Sequence, residues 1–508
     1  MKQRNLFLFG FVLIKILLQY LLIHSVYDLH RDEFLHLDQA HHLAWGYISV
    51  PPVTSWFSYI IYLLGYTEFW VKFFPALFGA LTIIIVWKTI ESLGGNLFAL
   101  SLAAIGLIFS ALARLNLLFQ PNSFDILIWT FIFYSLIKHI QTGKNSWIYW
   151  MGIAFGFGFL NKYTVVFLAL GLALGLFLSP ERKLFKNRHL YGGLGLAALI
   201  AAPNLIWQWM NDFPVIWHMR MLNQYQLVNI DRIDFLAEQP LFFIGSIFIL
   251  IAALISFFIY PPFKKYRFLF FTLVFTLVIF TYFRAKGYYA ISLYPIFFAF
   301  GSIYLSHLLN GSWKRYLKPV TFIVPIAIFI LMLPLVFPVS PPEKLKKVYE
   351  RHPDLDLSRW EDGKTHDIPQ DFADMLGWKE LAEKVDLAYS KAPNDEYTII
   401  ICDNYGQAGA INFYTKIKGL QAITMNADYV NWIDLSKPIR NVILVREKED
   451  AVSEREISLF EQSEEIGTIT DPNAREFGTS IHILLGAKTD INEILAGEIE
   501  EKRAELRE

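Results

Sequence analysis

The sequence predicts a mostly α-helical membrane protein, a polytopic bundle of about eleven spanning helices followed by a C-terminal soluble α/β domain. Three observations predict it. The 508 residues are 55% hydrophobic and 17% aromatic, with 45 Phe and only 18% charged, whereas soluble domains carry about a quarter charged residues. The formal net charge of −1 hides a split: residues 1–339 hold 24 Lys and Arg against 12 Asp and Glu, and residues 340–508 hold 21 against 34. Long apolar runs recur through the first part and stop before the second. The chain therefore divides into a membrane body, 1–339, and a tail, 340–508. High apolar content and a single cysteine, Cys402, exclude a disordered chain or a disulfide scaffold. No nucleic-acid partner is expected.

A spanning helix needs about 20 mostly apolar residues to cross roughly 30 Å of hydrocarbon. Eleven stretches meet or approach this: 5–25, 69–90, 95–113, 117–137, 147–160, 163–179, 190–209, 240–260, 267–283, 288–308 and 317–338. The first is too long for a signal peptide, contains Lys15 and lacks a small-x-small cleavage site, so it reads as an uncleaved anchor. The connections holding Lys88, Lys138, Lys144, Arg182, Lys183, Lys186, Arg188, Lys264, Lys265 and Arg267 fall on the same side as the N-terminus. By the positive-inside rule that side is cytoplasmic. An odd number of spans then places the tail outside, in the periplasm for a bacterial inner membrane. The stretch 147–160 has 14 residues and rises only about 21 Å. Its junction with the next, Asn161-Lys162, is therefore recessed, where irregular backbone must line protein or a water-filled cavity. In the tail, Pro341-Pro342 reads as a linker, 398–402, 421–425, 441–446 and 479–485 as strands, and 406–416 and 491–507 as helices. The segment 403–410 reads as a turn and helix start, with acceptor handling as its alternative.

This topology gathers the unusual polar residues on the outer face. The loop after the first span carries Asp32, Glu33, His41 and His42, and 33–44 suits a short amphipathic helix lying in the membrane interface. Asp125 lies at the outer end of the fourth span and Lys162 joins the fifth and sixth. Arg284, Lys286, Tyr288 and Tyr289 join the ninth and tenth. Singly, each has an ordinary reading: a Lys or Arg snorkels, and Asp32-Glu33 caps a helix. Both signs of charge converging on one face near membrane depth point to a site.

The combination suits transfer of a sugar from a lipid phosphate. The acceptor hydroxyl needs a carboxylate base, and the charge growing on the departing phosphate needs fixed cations in a dry site. A glycosidase would need a protonated carboxyl on the leaving side, and a nucleotide kinase a Gly-rich phosphate loop, which is absent.

Asp32-Glu33, Trp45-Gly46-Tyr47 with Pro51-Pro52, Ser123-Phe124-Asp125, Gly156 to Thr164, Pro203 to Gln208 and Lys286-Gly287-Tyr288-Tyr289 with Tyr294-Pro295 form an ordered set over about residues 1–310. The set resembles the bacterial relatives of dolichyl-phosphate-mannose protein mannosyltransferases and the lipid A aminoarabinose transferases, membrane glycosyltransferases of the GT-C type. The resemblance implies inverting transfer from a polyprenyl-phosphate (undecaprenyl-phosphate) sugar to a lipid, glycan or protein acceptor on the outer face. It implies Asp32 as the base or acceptor-orienting carboxylate, Glu33 as its neighbour able to hold the acceptor or a metal, and Asp125 as the second acidic position. Charge and topology assign Lys162 with Arg284 or Lys286 to the lipid phosphate, and the resemblance implies Tyr288 and Tyr289 as lining the donor cavity. Where some relatives carry a charged or histidine residue before the proline pair, this chain has Ser49-Val50. The metal- or phosphate-binding contribution of that residue is then either missing or supplied from elsewhere, such as His41 or His42; no cofactor is required, and a divalent metal, Mg or Mn, is the alternative. Two other classes compete: a transporter or lipid flippase, which calls for broken polar helices at the midplane and an internal repeat, and a non-catalytic membrane scaffold presenting the acidic tail.

Overall fold

The computed structural model describes residues 2–311, 313–352 and 357–505. Each of the eleven apolar stretches contains a helix, among them Lys2–Leu21, Glu68–Ser92, Pro121–Thr142, Ser146–Asn161 and Arg188–Met210. Fewer are long enough to span. Among the described residues, five helices are long and apolar enough to cross a membrane, or up to seven if two bent pairs each count as one span. Those pairs are Val165–Phe177 with Pro180–Lys186, bent by 113°, and Gly287–Leu293 with Pro295–Leu308, bent by 54°. Four shorter apolar helices, Val53–Leu63, Leu97–Ile108, Ile247–Ile259 and Phe268–Tyr282, accompany them, so helix length alone does not reach the expected count of about eleven. The 95–113 run is broken: its main helix Leu97–Ile108 has 12 residues and rises about 18 Å, and a short helix Leu112–Leu115 follows. Between the two the chain turns at Ser110, and the Ala111 amide donates to the carbonyl of Phe242 at 2.9 Å. Small residues let the helices approach closely, as membrane packing favours. A Cβ on Gly152 would collide with the Gly193 backbone, and one on Gly171 with the Thr276 hydroxyl.

The tail carries a five-stranded sheet in the order β2-β1-β3-β5-β4, where β1 is Tyr397–Cys402, β2 Ala422–Thr424, β3 Ile439–Arg446, β4 Phe460–Thr468 and β5 Ser480–Ala487. The central pairs β1–β2 and β1–β3 are parallel, and β3–β5 and β4–β5 antiparallel. Four strands fall where the sequence predicts them. The fifth, β4, is a mostly exposed edge strand carrying Glu461, Glu464 and Glu465, so it lacks the apolar alternation that marks a half-buried strand. The last helix is Ile491–Glu505; the expected residues 506 and 507 lie outside the described residues.

The tail does not hang from a linker. Pro342 opens a helix, Pro342–Glu350, whose Leu345 and Tyr349 are buried, and the Tyr349 hydroxyl donates to the Leu335 carbonyl at 2.9 Å. One apolar core joins Leu29, Phe34 and Leu37 of the first loop to Trp378, Ile400 and Ala408 of the tail. The loop helix is Arg31–Asp38, followed by a 3-10 turn Gln39–His41, and it is sandwiched rather than laid on a membrane surface. Phe34 meets Trp378 edge-on at 5.6 Å, so the face expected to contact lipid packs on protein. Asp28 accepts from the amides of Trp378 and Lys379 at 3.0 and 3.1 Å. A body carboxylate thereby satisfies the first N–H groups of the tail helix Trp378–Ser390, where negative charge is favoured.

Further along the loop helix, Asp38 accepts from Asn412 and Tyr429 of the tail. Burial pushes its carboxyl up to about 7, against the hydrogen bonds from Tyr429, Asn412 and Tyr66. Between its ordinary 3.8 and about 7 the folded chain holds a proton there that the unfolded chain releases, so this group's contribution to stability falls as pH rises through that window. Asp38→Asn is expected to raise Tm in detergent at pH 8 and to flatten the Tm–pH slope between pH 4 and 7. An unchanged slope would show that Asp38 does not titrate against folding.

Candidate active site

The site is built on the first turn of the loop helix. His30 caps it: its Nδ1 accepts from the Asp32 amide at 3.2 Å, and the His30 amide donates to Glu33 Oε2 at 2.7 Å. Glu33 Oε1 accepts from the Phe119 amide at 2.6 Å. Glu33 is buried and each of its oxygens is held by a backbone N–H. It therefore pins the loop helix to the start of Pro121–Thr142 and turns away from the open side. Glu33→Ala would leave both amides without partners, an expected loss of about 3 kcal/mol, read as a lowered Tm; a Tm unchanged from wild type would remove this anchoring role.

Asp32, half-buried, points the other way. Its Oδ1 accepts from the Tyr405 hydroxyl at 2.7 Å and its Oδ2 from Gln120 Nε2 at 3.1 Å. Burial raises its carboxyl, but His30, the Tyr405 hydroxyl, Arg31 and His36 outweigh burial and hold it below the ordinary carboxylate value. A polar chain continues from Gln120: Asn122 Nδ2 donates to Gln120 Oε1 at 3.0 Å, and Lys162 Nζ donates to Asn122 Oδ1 at 2.7 Å. Lys162 caps the short helix Ser146–Asn161 in extended conformation. Its ammonium lies 4.1 Å from the Tyr289 ring centroid and 5.4 Å from that of Tyr288, whose rings meet edge-on at 4.9 Å. A cation over an aromatic face is held by the ring quadrupole.

Asp125 lies one turn deeper, buried, accepting from the Ser292 hydroxyl at 2.8 Å through Oδ2, while Oδ1 has no hydrogen-bond partner among the described residues. Lys162 is within electrostatic reach of it. Lys286 Nζ is 3.3 Å from Glu361 of the tail. Arg284 is turned elsewhere: its Nη1 donates to the Val228 carbonyl at 2.6 Å, and its φ of +52° is left-handed. The structure thus groups Asp32, Lys162, Tyr288 and Tyr289 around one polar chain, with Asp125 and Lys286 flanking it. Glu33 and Arg284 make other contacts.

His41 and His42 do not fit a metal centre. His41 packs against Tyr62 at 4.9 Å and Tyr66 at 5.8 Å, and His42 stacks on Trp432 at 4.3 Å. Burial lowers both imidazoles, His42 to about 4 with help from His41. Among the described residues no three His, Cys, Asp or Glu side chains group as metal ligands.

Sequence reasoning missed Tyr405, Gln120 and Asn122 as site residues. The two amides stood inside the Gln120-Pro121-Asn122-Ser123-Phe124-Asp125 segment, and Tyr405 in the turn after the first clear strand of the tail, so each lay beside a residue or loop already singled out. Other motif segments also meet in space. Asn204 donates to the Trp45 carbonyl at 2.7 Å and accepts from Tyr163 at 3.0 Å, and Gln208 donates to Tyr163 at 3.1 Å.

Residues 49–207 match the family described as dolichyl-phosphate-mannose-protein mannosyltransferase. Lipid A galacturonosyltransferase RgtD of Rhizobium johnstonii is 24% identical over 220 residues, covering 42% of this chain and 46% of RgtD. The chain thus spans about half of that relative. The crystal structure of ArnT from Cupriavidus metallidurans bound to undecaprenyl phosphate superposes with a TM-score of 0.64 at 12% identity, covering 94% of this chain and 98% of ArnT. The apo state of ArnT gives 0.61 at 11% identity, with the same coverage. What the chain resembles, in sequence over part of its membrane body and in fold over nearly its whole length, is the GT-C membrane glycosyltransferases.

Proposed function

We propose that the chain is an inverting membrane glycosyltransferase that moves a sugar from a polyprenyl-phosphate carrier to a hydroxyl of a lipid, glycan or protein acceptor. The observation that carries this reading is the chain Asp32–Gln120–Asn122–Lys162, which holds a carboxylate and an ammonium apart at two ends of one polar track. The acceptor hydroxyl gives its proton to Asp32, and its oxygen attacks the anomeric carbon from the face opposite the phosphate. The bond from that carbon to the phosphate oxygen breaks, and the electron pair leaves with the carrier phosphate. A single displacement inverts the anomeric centre. The phosphate is already a good leaving group, so no general acid is required; the charge it gains is met by Lys162, with Lys286 as second cation. Asn122 takes one of the three ammonium donors, and charge-assisted hydrogen bonds from the rest to a phosphate are stronger than neutral ones. Tyr288 and Tyr289 wall this end and exclude water, which strengthens the electrostatics. Asp125, beneath Lys162, orients the ammonium.

Undecaprenyl phosphate bound to a protein of the same fold supports that carrier. We further propose a cytoplasmic N-terminus and the site and tail on the periplasmic side of a bacterial inner membrane, from the distribution of Lys and Arg between the connections. The protein purified into nanodiscs should bind undecaprenyl phosphate saturably. It should also turn over at least one member of a panel of undecaprenyl-phosphate sugars, with undecaprenyl phosphate released. Absence of both carrier binding and turnover would overturn the reading.

A further inference from the structure

We propose that Tyr405, supplied by the C-terminal domain, is a positioning residue for Asp32: its hydroxyl fixes the carboxylate that receives the acceptor proton. The proposal rests on the glycosyl-transfer reading for what Asp32 does, and on geometry for how Tyr405 acts on it.

Tyr405 is the first residue of the helix Tyr405–Tyr414. Asn404 caps that helix, accepting from the Gly406 and Gln407 amides at 2.9 and 3.1 Å. Asn404 Nδ2 is itself held by Glu447 at 2.7 Å and Glu476 at 3.1 Å, and Gln407 donates to Glu476 at 2.6 Å. The backbone that carries Tyr405 is therefore tied into the body of the tail. The ring is fixed as well, because the Arg31 guanidinium carbon lies 4.5 Å from its centroid. Two glycines permit this docking. A Cβ on Gly406 would sit 2.6 Å from Arg31 Cγ, and one on Gly409 would sit 2.6 Å from Phe34 Cβ. Either addition would push the tail helix off the loop helix.

The consequence at Asp32 is a carboxylate with one neutral donor on each oxygen, Tyr405 on Oδ1 and Gln120 on Oδ2. Holding both oxygens restricts the side chain to one orientation, the condition for a base aimed at a bound hydroxyl. Each oxygen retains a lone pair for the acceptor proton. A donor that binds the charged form also favours ionisation. The other groups that act on Asp32 are His30, Arg31 and His36 from its own element, Asp371 and Asp374 from the tail, and Tyr288 from the Gly287–Leu293 turn. All remain when the Tyr405 hydroxyl is removed, so the effect is a displacement of the titration and not its abolition.

The test is Tyr405→Phe in the full chain, which keeps the ring and the Arg31 contact and removes only the hydroxyl. Labelling of Asp32 by a water-soluble carbodiimide with an amine, mapped by mass spectrometry across pH, reports its protonation without any substrate. The labelling midpoint is expected to rise by about one pH unit. In transfer assays kcat should fall about tenfold, with acceptor KM within twofold and the acidic limb of the pH profile moved up in parallel. Tyr405→3-fluorotyrosine, a stronger donor, should move the midpoint down, and it serves if the Phe variant is poorly folded. Labelling midpoints identical to wild type in folded variants would overturn the proposal. Midpoints that move while no carrier sugar is turned over would keep the Tyr405–Asp32 coupling and sink the glycosyl-transfer reading instead.

Discussion

Asp32→Asn is expected to lower sugar transfer about 10³-fold while leaving undecaprenyl phosphate affinity within twofold of wild type. The two halves of this result come from different parts of the site. Asn has the size of Asp, and its carbonyl can still accept from Gln120, which leaves the Gln120–Asn122–Lys162 chain as it is, while its NH2 can donate to the Tyr405 hydroxyl oxygen. The loop helix should therefore stay in place, held by Glu33 on the Phe119 and His30 amides. What disappears is the basic oxygen, and without it the acceptor hydroxyl must attack still carrying its proton. Lys162 lies at the other end of the polar chain, beyond Gln120 and Asn122, so the carrier phosphate should not register the change. Transfer retained within about tenfold of wild type would remove Asp32 from the role of base. A parallel loss of carrier binding would mean that the substitution disturbed the whole site.

Lys162→Met should have the converse effect, weakening undecaprenyl phosphate binding about 100-fold, an energy of roughly 2.7 kcal/mol. Methionine keeps most of the apolar stem against Tyr288 and Tyr289 and removes the ammonium, so the loss isolates the charge. A charge-assisted hydrogen bond to phosphate within a partly desolvated site is of this size. The ranking of the cations follows from their partners. Lys286→Ala should cost less, because Glu361 already shares its charge at 3.3 Å on a partly exposed flank. Arg284→Ala should cost least, because its guanidinium is engaged with the Val228 carbonyl. Titration of labelled carrier into nanodiscs measures all three. A Kd for Lys162→Met equal to wild type, or a larger loss from Arg284→Ala, would place the phosphate elsewhere.

The position of Lys162 was legible in the sequence because helix length is a local quantity. A run of 14 apolar residues before Asn161-Lys162 cannot reach across the hydrocarbon, whatever surrounds it. The observed helix, Ser146–Asn161 at 16 residues, is also short. Asp32 was legible for a related reason, since an acidic pair opening a short amphipathic segment after a long apolar one is visible without knowing the fold. Glu33, its neighbour, was not separable from it by pattern. Successive residues on a helix differ by about 100° in direction, and only the position of the Phe119 amide shows that Glu33 faces the scaffold while Asp32 faces the tail.

By itself, then, the sequence determined a helical membrane body, an acidic α/β tail, the positions of four of its strands and the concentration of charged residues at one end of the bundle. Each of these follows from composition or from periodicity within a window of some twenty residues. Tertiary structure alone decided how many helices have spanning length, because that depends on where turns such as Ser110 are held by distant carbonyls. It also decided that the tail shares a core with the first loop and places Tyr405 on Asp32, across 373 residues of chain. A hydrogen bond between such distant positions leaves no trace in local hydrophobic pattern; it exists only because Gly406 and Gly409 let two helices from opposite ends of the sequence come into contact.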